Sequence, residues 1–313
     1  MKEFDLICVG MALVDSIIKG FDPEPVSASG YRAVSNTLNA GGEAVNAAIA
    51  ASRLGLRTAI LCALGQDAAG DMVKAALKKE GVDTGLIVDA PSTPVTTMFV
   101  NDDGSRKSIT NEAHRNNFHP EKYVSELTDT GAMILGSLFR APFDDPEIIH
   151  TVVSTAKAAG MLVVADTKLP NFRNLTLADL AASLPMIDFI TPNEDEARFF
   201  TGKQDAEAMA DVFLDYGVKH VIIKLGAKGC CLKNREKAIH LPAYQIDAVD
   251  ATGAGDSFIA GFTSAIIRGN SLEEALQFGN ACGAICTTGV GAGTALKSRE
   301  QVIKWMSGDR GLR

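Results

Sequence analysis

The stretch Asp250-Ala251-Thr252-Gly253-Ala254-Gly255-Asp256 places three small residues between two carboxylates. Small residues at 253 to 255 let the backbone approach a ligand closely. A helical pattern starting there turns its free N–H groups toward that ligand, and the helix dipole favours an anion. Such a turn suits a phosphate, or the charge that develops on a phosphoryl group in transfer. Asp256 then reads in two ways: as a base that takes a hydroxyl proton during attack on phosphorus, or as a cap of the helix. The stretch is not a Walker P-loop, because no Gly-Lys-Ser/Thr follows the glycines.

Three further stretches carry usable chemistry. In Asn39-Ala40-Gly41-Gly42-Glu43-Ala44-Val45-Asn46, two glycines precede a helical pattern. Asn46, one turn in, offers both a donor and an acceptor to a sugar hydroxyl, and the alternative is an ordinary tight turn. Lys224-Leu225-Gly226-Ala227-Lys228-Gly229 follows an apolar run. Glycines there suit a nucleotide lying across the carboxyl edge of a sheet, or simply make a turn. In Thr191-Pro192-Asn193-Glu194-Asp195-Glu196, Asn193 and Glu196 fall on one helix face. That pair could hold Mg²⁺ or its waters, or could belong to a solvated acidic helix start.

The elements that must position these residues follow from apolar patterning. Short, mainly apolar runs occur at Phe4 to Val9, Thr58 to Leu64, Ala132 to Leu135, Met161 to Ala165, Phe189-Ile190 and Val221 to Leu225. Such runs read as buried parallel strands. Helical stretches lie between them, at Glu43 to Leu54, Ala68 to Lys79 and Pro146 to Ala159, which predicts β-α units on one parallel sheet. Gly255 to Arg268 sets Phe258, Phe262 and Ile266 on one face, and Ser271 to Glu274 resembles a capped start of a second helix running to Thr287. Residues 13–39 and 93–113 break the rhythm. The second segment reads as a hairpin turning at Asn101-Asp102-Asp103-Gly104, and both are expected to form a small β lid.

Composition narrows the class. The 313 residues are 46% hydrophobic and 22% charged, which is enough apolar material for a normal core. A formal net charge of −8 argues against a nucleic-acid binder, which would need a concentrated basic face. No apolar run reaches the roughly 20 residues needed to span a bilayer, and the N-terminus is not a signal peptide, so no membrane contact and a cytoplasmic location are expected. The six cysteines include no Cys-x-x-Cys pair and read as buried thiols in a reducing compartment. An NAD-linked dehydrogenase is disfavoured, because Gly10-Met11-Ala12-Leu13-Val14-Asp15 lacks Gly-x-Gly-x-x-Gly after the first run.

Taken in order, Asp15, Gly41-Gly42 with Asn46, Asn193 with Glu196, Gly226 to Gly229 and Gly253-Ala254-Gly255-Asp256 resemble the ribokinase-like (PfkB) carbohydrate kinases. The resemblance runs from Gly10 to about Ala295. It implies an α/β fold of three layers, α/β/α, with a mostly parallel central sheet and a small β lid, in one kinase domain over residues 1–313. It implies ATP and Mg²⁺, with K⁺ as a further cofactor, a sugar substrate, and a homodimer formed through the lid. Residue by residue, Asp256 matches the base and Gly253, Ala254 and Gly255 the anion hole. Asp15, Gly41, Gly42 and Asn46 match sugar contacts. Asn193, Lys224, Gly226, Gly229 and Asn280 fall to ATP, with Asn280 near the adenine. Glu196 matches the Mg²⁺ position, and Asp250 and Thr252 match K⁺ ligands, joined by carbonyls near Cys286, Gly289 and Gly291. Ala295 departs from a family position that can carry a hydroxyl, and Ala251 replaces the usual Thr.

The substrate depends on side chains that vary within such a family. Arg106, His114, Arg115, Arg140 and Lys168 lie in segments expected to face the pocket. An inward Arg106 or Arg140 would favour an acidic or phosphorylated sugar. One Trp and four Tyr favour a sugar over a stacked nucleobase, while Phe99, Phe118 and Phe139 keep a nucleoside kinase in view. A sugar- or nucleotide-binding regulator without turnover is the reading from another class, against which an intact Asp256 argues.

Overall fold

The computed structural model describes residues 2–20, 33–101, 106–111, 118–127 and 129–308. In chain order its strands are β1 (Phe4–Val9), β2 (Leu13–Lys19), β3 (Ser35–Gly41), β4 (Thr58–Gly65), β5 (Ile87–Ala90), β6 (Val95–Val100), β7 (Arg106–Thr110), β8 (Thr130–Leu138), β9 (Leu162–Thr167), β10 (Phe189–Ile190), β11 (His220–Lys224), β12 (Cys230–Lys233) and β13 (Ala238–Leu241). The helices are α1 (Glu43–Arg53), α2 (Ala68–Lys79), α3 (Pro146–Ala158), α4 (Glu194–Thr201), α5 (Ala206–Asp215), α6 (Ala254–Ile267), α7 (Leu272–Cys286) and α8 (Arg299–Met306).

Nine strands make the central sheet in the order β13-β12-β11-β10-β9-β8-β1-β4-β5. The strands from β11 to β5 pair in parallel, in keeping with their mainly apolar runs. Every residue of β4 is buried. Alternate residues then feed two cores. Leu6, Cys8, Ile60, Cys62 and Ile134 face α1, α6 and α7, while Ile7, Val9, Leu61, Met133 and Leu135 face α3 and α5. Three layers result, helices on both faces of one sheet.

At one edge, β12 and β13 run antiparallel. The sequence pattern alone does not show this hairpin, since each strand has only four residues. Its turn is made by Asn234, whose Oδ1 accepts the N–H groups of Glu236 and Lys237. Helices α5 and α8 were likewise not anticipated from apolar runs. Each is instead marked by a capping side chain, Asp205 and Ser298 respectively.

The two segments that break the β-α rhythm form a second sheet, ordered β3-β2-β6-β7. Thr96, Thr97 and Met98 pair antiparallel with Thr110, Ile109 and Ser108, which makes the expected hairpin, although residues 102–105 of its turn lie outside the described residues. So do residues 21–32 between β2 and β3 and the expected pocket residues His114 and Arg115. Leu38, Ser16, Thr97 and Ile109 share one row across this lid sheet, on the face opposite Asp15. Leu38 and Ile109 are both exposed.

Helix α6 runs through the centre of the molecule, buried from Asp256 to Ala265. Gly261 permits the close approach of α7, because a Cβ there would lie 2.6 Å from Cys282 Sγ. All six cysteines are buried and unbridged. Among the described residues, no helix is long and apolar enough to cross a membrane.

Candidate active site

The carboxyl ends of β9 and β11 and the N-terminus of α6 converge on a cleft of about 520 Å³. A crevice outside the carboxyl ends of parallel strands is where open α/β sheets bind ligands. Its floor is the turn at 253 to 255. Gly253 takes the left-handed conformation (φ 76°) and opens α6 without any side-chain cap. Ala254 N–H donates to the Ala251 carbonyl at 3.2 Å, and the N–H groups of Gly255 and Asp256 are left for a ligand. Gly255 keeps the cleft open, since a Cβ on it would sit 3.2 Å from Lys224 Nζ.

Asp256 does not cap α6. Its carboxylate is buried at 8% exposure, and its Oδ2 accepts Asn46 Nδ2 of α1 at 2.8 Å. That bond ties residues 210 apart in sequence. Burial pushes the Asp256 carboxyl above the usual carboxylate range, with Lys168 and the Asn46 bond holding it back.

The amino end of α1 approaches from the lid side. Gly42 precedes α1 with φ 97°, and a Cβ there would collide with the Met11 carbonyl. A Cβ on Gly41 would meet the Asp15 carboxylate. Asp15, on β2, is half-buried, and desolvation raises its pKa to about 6. Glu43, the first residue of α1, was not singled out by the sequence reading. Its Oε1 accepts the Met11 N–H at 2.9 Å, and burial raises its carboxyl as well. Gly136 makes room for it, since a Cβ there would lie 2.5 Å from Glu43 Cγ.

On the opposite wall, Asn193 and Glu196 form a capping box at the start of α4. Asn193 Oδ1 accepts the Glu196 N–H at 2.9 Å, and Glu196 Oε2 accepts the Asn193 N–H at 3.0 Å and the Thr167 hydroxyl at 2.8 Å. Glu196 is 4% exposed, so this is not a solvated acidic helix start. Burial, then Asp166, raise its carboxyl above the usual range. Lys224 Nζ donates to Asp166 Oδ1 at 2.7 Å, and Thr191 Oγ1 adds a bond at 2.8 Å. Burial works to raise Asp166, but Lys224 and Lys168 outweigh it and hold that carboxyl low.

Gly226 and Gly229 both have positive φ and line the cleft, and Gly229 packs its α-carbon against the backbone of Leu241 to Ala243. Asn280 lines the far end, its Nδ2 donating to the Pro242 carbonyl at 2.9 Å. Asp250 lies behind the turn. Its Oδ1 accepts the Thr252 hydroxyl at 2.7 Å and its Oδ2 the Gly291 N–H at 3.0 Å, which links residues 250–252 to the loop at 291.

Of the expected substrate residues, Asp15, Gly41, Gly42, Asn46 and Arg140 are not part of the lining of this cleft. Arg140 Nε donates to the Leu169 carbonyl at 3.2 Å. Arg106 begins β7, and its side chain lies outside the described residues. Conversely, Asp166 and Lys168 line the cleft, although only Lys168 was named from sequence, and as a sugar contact. The available signal was positional: Asp166-Thr167-Lys168 follows directly on the apolar run of β9, at the carboxyl edge.

Sheet order, lid and glycine turn together define a ribokinase-type α/β/α protein. Comparison with known proteins makes this specific. Residues 4–299 match the pfkB family carbohydrate kinase group, and the chain belongs to that family. Haemophilus influenzae ribokinase is 32% identical over 274 residues, covering 85% of this chain and 87% of that protein. Fructokinase-1 of Oryza sativa subsp. japonica is 31% identical, covering 85% and 88%. Among solved structures, Arabidopsis thaliana ribokinase complexed with ribose and ATP superposes with a TM-score of 0.82 at 26% identity, covering 97% of this chain and 98% of that one.

Proposed function

We propose that this chain transfers the γ-phosphoryl group of ATP to a sugar hydroxyl, with Asp256 as general base. The observation that supports this best is the placement of Asp256. It is a buried carboxylate at an uncapped helix N-terminus, bonded to Asn46 rather than to its own helix. A carboxylate so held can take a proton from an acceptor hydroxyl while the first-turn amides face the transferring charge.

The other assignments follow the cleft. Asp15, Gly41, Gly42 and Asn46 are assigned to the sugar, because Asn46 bonds Asp256 and Gly41 leaves room for the Asp15 carboxylate beside it. Gly226, Gly229, Asn193, Lys224 and Asn280 line the ATP side. Glu196, bonded to Asn193 at the start of α4, offers a hard carboxylate oxygen beside that wall, since among the described residues its Oε1 has no hydrogen-bond partner. No cluster of three or more His, Cys, Asp or Glu suited to a metal occurs among the described residues. That fits Mg²⁺, which retains water and phosphate ligands and needs only one or two protein carboxylates. Mg²⁺ bound there supplies charge neutralisation on the phosphates. Asp250 and Thr252, beside the turn, are the residues for K⁺. We read residues 1–313 as one kinase domain whose lid segments are 13–39 and 93–113. The exposed row of Leu38 and Ile109 supports a homodimer through the lid.

Two outcomes are expected. Purified protein with Mg-ATP should release ADP with one class across a panel of sugars, sugar acids, sugar phosphates and nucleosides. ATP binding without release against any of them would make the chain a binding protein instead. With the active sugar, KM should rise as pH falls through about 6. Protonation of Asp15 below that value removes an acceptor for the sugar hydroxyls, and ionisation above it restores the acceptor. A KM flat through that range would take Asp15 out of sugar binding.

A further inference from the structure

Lys168 stands apart from the other charged groups of the cleft. Its backbone N–H donates to the Leu138 carbonyl at 3.0 Å, which fixes its α-carbon just beyond the carboxyl end of β9. Its side chain lines the cleft together with Asp166, Asn193, Lys224, Gly253 to Gly255 and Asp256. Lys224, the other lysine there, is closed onto Asp166 at 2.7 Å. By contrast, no carboxylate among the described residues lies within the 4.0 Å ion-pair distance of Lys168 Nζ. Lys168 nevertheless feels Asp166, Asp256, Glu196 and Glu43. Burial works to lower its pKa, but these four carboxylates together hold it above the usual lysine value. It is thus a permanently charged ammonium that is partnered to none of the acids that keep it charged. Four carboxylates facing two lysines leave this end of the cleft short of positive charge for a polyphosphate.

We propose that the Lys168 ammonium is a catalytic group that holds the transferring phosphoryl group between nucleotide and acceptor. The assignment rests on the kinase reading above. As the bond from the acceptor oxygen to phosphorus forms, the bond from phosphorus to the ADP oxygen breaks. Asp256 takes the hydroxyl proton, and Lys168 keeps its own. A cation in a dry site that meets the charge only as it redistributes stabilises the transition state more than the ground state. A second consequence concerns Asp256. Asp166, Glu43 and Cys8 face it with negative or potentially negative charge, Lys224 and Lys168 face it with positive charge, and Asn46 donates to it. Lys168 opposes the rise caused by burial, so its loss moves the proton-accepting limb of turnover to higher pH.

The test compares wild type, Lys168→Met and Lys168→Arg at saturating sugar and Mg-ATP, with calorimetry of Mg-ADP binding with and without aluminium fluoride, a mimic of the phosphoryl group in transfer. Wild type should bind Mg-ADP more tightly when sugar and fluoride complex are present. Lys168→Met should bind Mg-ADP alone normally, lose that tightening, and lose about 10²–10³ in kcat with little change in either KM. Its acid limb should move up, and Lys168→Arg should recover much of both losses. Normal ADP binding shows that the variant is folded. If Lys168→Met keeps the tightening and kcat, the proposal is wrong. If it raises only the sugar KM, Lys168 is a sugar contact and the proposal is equally wrong. If wild type itself shows no tightening with any sugar, the kinase reading fails, and the role of Lys168 falls with it.

Discussion

Asp256→Asn should lower kcat by about 10²–10⁴ while sugar and nucleotide still bind. The substitution preserves shape. An Asn Oδ1 can still accept the Asn46 Nδ2 hydrogen bond now made at 2.8 Å, so α1 and α6 stay tied. It removes a buried carboxylate whose ionisation burial opposes, so the fold should not lose stability. Only the proton acceptor disappears. The same burial fixes the pH dependence. Asp256 titrates above the usual carboxylate range, so wild-type kcat should fall on the acid side at a pH higher than an exposed Asp would give. Below that limb the carboxyl is protonated and cannot accept the hydroxyl proton. In Asp256→Asn the limb should vanish along with the activity. Near-normal turnover in the variant would remove Asp256 from the chemistry.

Gly253→Ala should be nearly as damaging, through the backbone alone. Gly253 holds φ 76°, where a side chain costs roughly 1–2 kcal/mol. The new Cβ would also lie 2.8 Å from Ala292 Cβ and 3.0 Å from its Cα, both carried on the loop that Asp250 secures through Gly291. The turn has to move, and the amides of the first turn of α6 move with it. A displacement of about 1 Å in a positioned group costs on the order of 10² in rate. We expect that loss in kcat, with Tm lowered by a few degrees, about 1.5 °C per kcal/mol for 313 residues. Steady-state kinetics beside a thermal melt check it. Full turnover with a lowered Tm would show that this turn does not hold the transferring charge.

Much of this was legible in the sequence because each feature obeys one local rule. β1 from Leu6 to Val9 and β4 from Ala59 to Leu64 are unbroken apolar runs, as a strand buried on both faces requires. The start of α7 was visible as Ser271 and Glu274, which the structure joins reciprocally as a capping box. The first lid segment stood out by exclusion, as a stretch with neither rhythm, and the second by its hairpin pattern around Asn101 to Gly104. Less accessible were features that depend on distant partners. The Asn46–Asp256 bond spans 210 residues, and no local pattern distinguishes Asp256 as a base from Asp256 as a cap. Glu43 resembles any acidic first-turn residue until Gly136 is seen to clear a space for it. Arg140 is a different case. Its charge suggested an inward role, but positive φ at Ser137, within β8, and at Phe139 just after it turns the chain, and its Nε donates to the Leu169 carbonyl.

Phosphate transfer from ATP to a sugar hydroxyl at Asp256 is tested most directly by detecting the product itself. Incubation with Mg-ATP and the active sugar, followed by ³¹P NMR, should show a new phosphomonoester resonance growing in step with ADP, in wild type but not in Asp256→Asn. Inorganic phosphate growing with ADP, and no phosphomonoester on any sugar, would contradict the account.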